Sequence, residues 1–322
     1  MKPQLLVLAK GSSTPAMDEL EHTFDCHHLW QVAPAERAAF IGTVGAAIRG
    51  VFTTGTVGVT AAQLELLPAL EIVAVHGVGV DAVALTAAGA RGIRVTNTPG
   101  VLTDDVADLA LTLLLASARR LAALERHVRS GAWEGGVPLA PSRSVRGKVA
   151  GIFGFGAIGQ AIGHRMQAFG MEVRYYQRSE VVGVHAVRSA SLLALAEESD
   201  FLIVAVPGGA ATRYAVDAHV LAALGAQGTL INVARGSVVD QEALIAALDA
   251  GRLGAAALDV YADEPQVPQA LRESDKVVLT PHVGSLTVET RYAMGRLALD
   301  NLVAHFAGAP LLTPVDTVPT TF

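Results

Sequence analysis

Residues 149–160 read VAGIFGFGAIGQ: an apolar run, then Gly154-Phe155-Gly156-Ala157-Ile158-Gly159, then the start of a helical pattern that continues to Phe169. Such a hexad means little alone, but at a strand-to-helix junction each glycine acquires a mechanical task. Gly154 permits the tight turn, Gly156 lets a dinucleotide pyrophosphate approach the backbone, and Gly159 lets the helix pack close to the strand. The amino end of the helix then presents unpaired N–H groups and a favourable dipole to phosphate. The stretch predicts a parallel α/β sheet with a dinucleotide at the carboxyl end of its first strand.

The following strand selects the cofactor. An NAD site places Asp or Glu at the end of that strand, roughly 20 residues on, to accept hydrogen bonds from the ribose. Here Val173-Arg174-Tyr175-Tyr176 runs into Gln177-Arg178-Ser179, with an acid only at Glu180. A neutral Gln followed by Arg and Ser suits a 2′-phosphate, since Arg178 can pair with it and Ser179 can donate a hydrogen bond. NADP(H) is expected in preference to NAD(H).

Working outward, further strands are expected at Phe201-Leu202-Ile203-Val204-Ala205-Val206, 229–232 and 256–258, with helices at 160–169 and 241–250. Towards the amino end, strands are expected at 5–9, 50–54, 72–76 and 93–96, with helices at 61–67 and 81–90. This alternation is the pattern of crossover-connected parallel sheets. The strongest helix is expected from 104 to 120, with Thr103 as its cap and Asp104 and Asp105 complementing its dipole. Residues 128–146 are broken by glycine and proline and read as an arm, and a last helix is expected over 286–307.

Bulk properties narrow the function. The chain has 322 residues, 51% of them hydrophobic and 17% charged, enough for two cores. A net charge of −6 with both signs interspersed argues against a nucleic-acid partner. Cys26 is the one cysteine, so an internal disulfide is excluded; its neighbours His22, His27 and His28 read as an exposed loop, and no metal is expected. The amino terminus reads as a strand and not as a signal sequence, and the apolar stretches are too broken by glycine to span a bilayer. A cytoplasmic protein is expected.

Three later segments end apolar strands in polar residues: Ile231-Asn232-Val233-Ala234-Arg235-Gly236, Leu258-Asp259-Val260-Tyr261-Ala262-Asp263-Glu264-Pro265 and Thr280-Pro281-His282-Val283-Gly284. In an open α/β sheet such carboxyl ends face the ligand crevice. An arginine, a carboxylate and an imidazole there are the parts that carbonyl reduction needs.

On these four motifs the chain resembles the D-isomer-specific 2-hydroxyacid dehydrogenases over nearly its whole length. The Tyr-Tyr-Gln-Arg-Ser strand end is most similar to the branch of NADPH-using glyoxylate, hydroxypyruvate and hydroxyphenylpyruvate reductases. The resemblance implies two doubly wound parallel-sheet domains. One is a discontinuous flavodoxin-like substrate domain, residues 1–99 and 287–322; the other is a Rossmann cofactor domain, residues 100–286. It implies His282 as proton donor to the keto oxygen, Glu264 on the other ring nitrogen favouring the protonated ring, and Arg235 holding the substrate and stabilising charge on oxygen. Asp259 would bind the nicotinamide carboxamide. Thr103, Val206, Pro207, Thr212, Val233, Ala234 and Gly284 would line the cofactor site, although Pro207-Gly208-Gly209-Ala210 departs from the usual loop. The segment His76-Gly77-Val78-Gly79 would grip the substrate carboxylate through the Val78 and Gly79 amides. His76 stands where an apolar residue is expected, and either touches the substrate tail or packs. Crossings near Pro99 and Gly284 would form a hinge. A homodimer is implied, with Trp133 reaching the partner's active site or anchoring the arm. The implied reaction is reduction of a small 2-keto acid. The alternatives are a larger acid, such as 2-ketogluconate or an aryl pyruvate, or a non-enzymatic dinucleotide sensor or corepressor.

Overall fold

The computed structural model describes residues 2–11 and 14–317, and the chain divides into two compact units. The first runs to Leu102 and resumes at Ser285; the second spans Thr103–Gly284.

In the first unit, strands β1 (Gln4–Val7), β2 (Asp25–His28), β3 (Ile48–Thr54), β4 (Ile72–His76) and β5 (Arg94–Thr96) lie in the order β5-β4-β3-β1-β2, all parallel. Alternate residues of the strands feed opposite faces. Leu5, Val7, Phe52, Ile72 and Ala74 pack with Ala298, Leu299 and Leu302 of the helix Val288–Phe306, while Leu6, Val51, Val73 and Val75 face the other core.

In the second unit, β6 (Val149–Phe153), β7 (Glu172–Tyr176), β8 (Val187–Arg188), β9 (Phe201–Val204), β10 (Thr229–Asn232), β11 (Ala255–Leu258) and β12 (Val277–Leu279) form one parallel sheet. Its order is β12-β11-β10-β9-β6-β7-β8. The chain reverses its direction of winding between β6 and β9, the place where α/β sheets open a crevice. Phe201 and Ile203 enter one core, Leu202 and Val204 the other, so β9 is apolar throughout because both faces are covered. A two-residue strand, β13 (Pro314–Val315), pairs antiparallel with β5 at the edge of the first sheet.

Several expectations require correction. Cys26, His27 and His28 are not in a loop but on β2, paired with Leu5, Leu6 and Val7. Their side chains are engaged locally: His27 contacts Gln4 Oε1 at 3.0 Å and His28 Nε2 lies 3.1 Å from Glu21. Residues 121–129 form a helix ahead of the arm. The expected helix at 81–90 begins only at Leu85, because Val83 is drawn into a bridge with Val59. Thr103 is the first residue of the helix Thr103–Ala118, not its cap.

Candidate active site

The glycine turn after β6 has the predicted mechanics. Gly154 sits at φ 95°, and a Cβ there would come within 2.7 Å of the Ala205 carbonyl oxygen. A Cβ on Gly159 would lie 2.0 Å from the Gly154 carbonyl oxygen, so the helix Ala157–Ala168 packs directly on the turn. Gly156 differs: a Cβ there would meet nothing within 4 Å. Its side is open, and no side chain caps the helix that follows. An uncapped helix amino end beside a bare backbone fits a dinucleotide pyrophosphate. Phe155 itself is core, 3% exposed and stacked on Tyr175 at 4.4 Å. Ile158 packs against the same core.

Gln177 ties this turn to the end of β7. Its Oε1 accepts from the Phe155 N–H at 3.0 Å and its Nε2 donates to the Ser179 carbonyl at 3.0 Å. Arg188 on β8 braces the same loop, donating to the carbonyls of Gln177 at 3.1 Å and Arg178 at 2.8 Å. On the other side of β6, the loop after β9 closes on itself: the Thr212 hydroxyl donates to the Pro207 carbonyl at 2.7 Å, and Val206 packs against the core.

After β10, buried Asn232 shapes the turn that carries Arg235. Its Oδ1 accepts from the Ala234 N–H at 3.1 Å and its Nδ2 donates to the Arg235 carbonyl at 3.0 Å. Val233 is half-buried and Ala234 buried in this turn. Gly236 then lies against the next segment so closely that a Cβ would fall 1.9 Å from the Tyr261 carbonyl. This contact joins the arginine turn to the segment bearing Glu264, and Arg235 is close enough for its charge to lower the pKa of Glu264.

His282 and Glu264 meet. The imidazole Nδ1 lies 2.7 Å from Glu264 Oε2, while Glu264 Oε1 accepts from the Tyr261 N–H at 3.0 Å. Burial works to raise the Glu264 carboxyl, but the hydrogen bond and charge of His282, the Tyr261 amide and Arg235 outweigh it and hold it below its ordinary value. With Nδ1 committed to the carboxylate, Nε2 is the nitrogen left for a reacting group, and it makes no hydrogen bond among the described residues. His282 adopts φ 55°, a left-handed conformation uncommon outside glycine.

Asp259 is what holds that conformation. It is 1% exposed, and its Oδ1 accepts from the Thr280 hydroxyl at 2.7 Å and the Val283 N–H at 2.8 Å. Its Oδ2 accepts from the Gly284 N–H at 2.9 Å, and its carbonyl accepts from the His282 N–H at 2.8 Å. Burial raises the Asp259 carboxyl above its ordinary value, against the pull of these donors and of His282.

In the first unit, β4 ends at His76 and leads into Gly77-Val78-Gly79. Asn97 Nδ2 anchors this turn by donating to the Val78 carbonyl at 2.7 Å, and Thr98 N–H donates to the Gly77 carbonyl at 2.9 Å. Neither the Val78 nor the Gly79 amide donates a hydrogen bond among the described residues, leaving adjacent donors for an anion.

Residues 111–284 match the family model described as D-isomer specific 2-hydroxyacid dehydrogenase, NAD binding domain, which is more than half of the chain. The chain belongs to the D-isomer specific 2-hydroxyacid dehydrogenases. This dehydrogenase is 47% identical to a glyoxylate/hydroxypyruvate reductase A of Arabidopsis thaliana, over 92% of its own length and 94% of that protein's. It is 44% identical to a hydroxyphenylpyruvate reductase of Plectranthus scutellarioides, over 94% and 96%. Among solved structures it superposes with a TM-score of 0.89 on the NADPH-dependent glyoxylate/hydroxypyruvate reductase of Sinorhizobium meliloti in complex with NADP and malonate. That pair is 41% identical, covering 99% of this chain and 98% of that one.

The sequence of this dehydrogenase alone assigns no role to Arg188, Thr280 or Arg291. Arg188 lies on a two-residue edge strand with no periodic signal. The roles of Thr280 and Arg291 exist only through contacts with residues distant in sequence.

Proposed function

We propose that this dehydrogenase uses NADPH to reduce a small 2-keto acid, of the glyoxylate or hydroxypyruvate type, to the D-2-hydroxy acid. The observation that carries this reading is the 2.7 Å contact of His282 with Glu264, in the unit whose sheet also carries the open glycine turn. When bound, the reduced nicotinamide supplies a hydride to the carbonyl carbon. His282 Nε2 donates the proton to the carbonyl oxygen, and Glu264 stabilises the imidazolium while fixing the ring. Arg235 holds the substrate and stabilises charge developing on oxygen. The amides of Val78 and Gly79 grip the carboxylate. Gly154, Gly156 and the helix start at Ala157 receive the pyrophosphate, with Thr103, Val206, Pro207, Thr212, Val233, Ala234 and Gly284 as further cofactor contacts. Asp259 has three donors on its carboxylate, and its first task in this scheme is to hold the His282 loop.

The cofactor preference rests on Gln177, Arg178 and Ser179, where no acid ends β7. Arg178 and Ser179 would bind the 2′-phosphate on a loop braced by Arg188. Arg178→Ala is expected to lower kcat/KM for NADPH about tenfold or more, the scale of one charge-assisted hydrogen bond, and to leave NADH nearly untouched. An unchanged NADPH-to-NADH ratio would remove Arg178 from the scheme. Loss of nicotinamide absorbance with glyoxylate or hydroxypyruvate tests the reaction itself, and no NADPH consumption with any small 2-keto acid would return the chain to a dinucleotide sensor.

We infer a cytoplasmic homodimer, and the exposed arm with the helix ahead of it supports the dimer. Leu121, Val128, Trp133, Val137 and Leu139 are exposed, Trp133 at 65%, apolar side chains that a partner subunit would cover. Among the described residues no helix is long and apolar enough to cross a membrane. Sedimentation is expected to show a dimer that Trp133→Glu weakens; a monomer in the wild type would sink this assembly.

A further inference from the structure

Parallel pairing of the edge strand β8 with β7 sets Arg188 opposite Tyr175, beside the loop that follows β7. Its Nε donates to the Gln177 carbonyl at 3.2 Å, and its Nη2 donates to the carbonyls of Gln177 at 3.1 Å and Arg178 at 2.8 Å. Nη1 donates no hydrogen bond among the described residues, and no carboxylate among them pairs with the group. Neighbouring arginines of the same unit are treated differently. Arg174, on β7, is held between Glu172 and Glu198, and Arg165 between Asp104 and Asp108.

Holding this loop does not by itself call for a positive charge. Gln177 already spans it with Nε2 on the Ser179 carbonyl at 3.0 Å, and the Val181 N–H donates to the hydroxyl of Tyr175, a core residue, at 3.0 Å. Further along, Gln167 Nε2 donates to the His185 carbonyl. Neutral amides and a hydroxyl do that work. Carbonyl oxygens accept hydrogen bonds but carry no net charge, so three bonds to them fix the guanidinium without neutralising it. The result is a cation fixed at the peptide that joins Arg178 to Ser179, with donors to spare. A phosphate dianion matches it, because its oxygens accept several charge-assisted hydrogen bonds at once. A ribose hydroxyl would leave the charge unbalanced.

We infer that Arg188 is a second cation of the 2′-phosphate site: Arg178 and Ser179 take the phosphate of NADP(H) on the loop after β7, and Arg188 adds positive charge from β8. The inference rests on the cofactor preference proposed above and deepens it, because part of that preference then comes from a residue outside the loop.

Calorimetric titration with adenosine 2′,5′-bisphosphate and adenosine 5′-monophosphate tests this without turnover, since the two nucleotides differ only in the 2′-phosphate. The proteins compared are the wild type, Arg188→Gln, Arg188→Lys and Arg178→Ala. The wild type is expected to bind the bisphosphate more tightly. Arg188→Gln keeps a donor for the loop carbonyls but no charge, and it is expected to lower the ratio of the two affinities about tenfold, the scale of one hydrogen bond to a charged group. Arg188→Lys should keep most of the ratio. The NADPH-to-NADH ratio in kcat/KM should follow the same order, mainly through KM. A variant that merely loosened the loop would weaken both nucleotides together. An unchanged ratio in Arg188→Gln, or an equal fall in Arg188→Gln and Arg188→Lys, overturns the role of Arg188. If Arg178→Ala lowers the ratio in that same experiment, the cofactor reading stands without Arg188. A wild type that binds both nucleotides equally removes the NADP(H) preference itself, and the inference falls with it.

Discussion

His282→Ala is expected to lower kcat for keto-acid reduction by about 10²- to 10⁴-fold, the range for loss of a positioned general acid. The imidazole is bound at Nδ1 by Glu264, and Nε2 makes no hydrogen bond among the described residues. Stability gives the control. Position 282 has φ 55°, a left-handed conformation that costs residues with a Cβ about 1–2 kcal/mol, histidine and alanine alike, and that asparagine tolerates. His282→Asn should therefore lose kcat as fully as His282→Ala while melting closer to the wild type. Residual rates above a tenth of the wild type in both would remove His282 from the chemistry. Glu264→Gln adds a pH signature. The folded carboxyl lies below its ordinary value of 4.5, so its contribution to stability is complete above the unfolded value and is lost as pH falls through the folded one. The melting difference between wild type and Glu264→Gln should be full at neutral pH and close in acid.

Asp259→Leu is expected to cost about 3 kcal/mol or more of stability and to reduce kcat at least as far as a misplaced general acid would, about 10²-fold. The substitution roughly conserves shape but strands three donors, the Thr280 hydroxyl and the Val283 and Gly284 amides, around a position 1% exposed. The same three donors hold the backbone on both sides of His282, so the loop and the imidazole relax together. Asp259→Asn retains one acceptor oxygen but turns an NH₂ towards a donor, and it should fall between leucine and the wild type. Urea unfolding and single-turnover rates read both effects. Wild-type stability in Asp259→Leu would show that the clamp carries no weight. Burial opposes ionisation of Asp259 and raises its pKa, so in isolation this group destabilises the fold as pH rises from the ordinary aspartate value to its own.

The glycine hexad, the acid-free end of β7 and the polar ends of β10, β11 and the segment beyond β12 were all legible in the chain because they are local. A turn needs its glycine where its own backbone bends or is approached, as at Gly154 and Gly159, and a strand buried on both faces is apolar throughout, as in β9. What lay outside local reading depends on which strands become neighbours. Asp25–His28 carries no apolar pattern and becomes a strand only because β1 offers it an edge to pair with. Asp259 reads as a ligand-facing acid, yet parallel pairing of β11 with β12 brings Thr280, Val283 and Gly284 onto its carboxylate. His76 reads as a residue that either packs or touches substrate, and only the return of the last helix across β4 sets Arg291 beside it. Periodicity reports the environment of a residue within one element. Partners that arrive from distant parts of the chain are decided when the sheet orders its strands and the helices close over them.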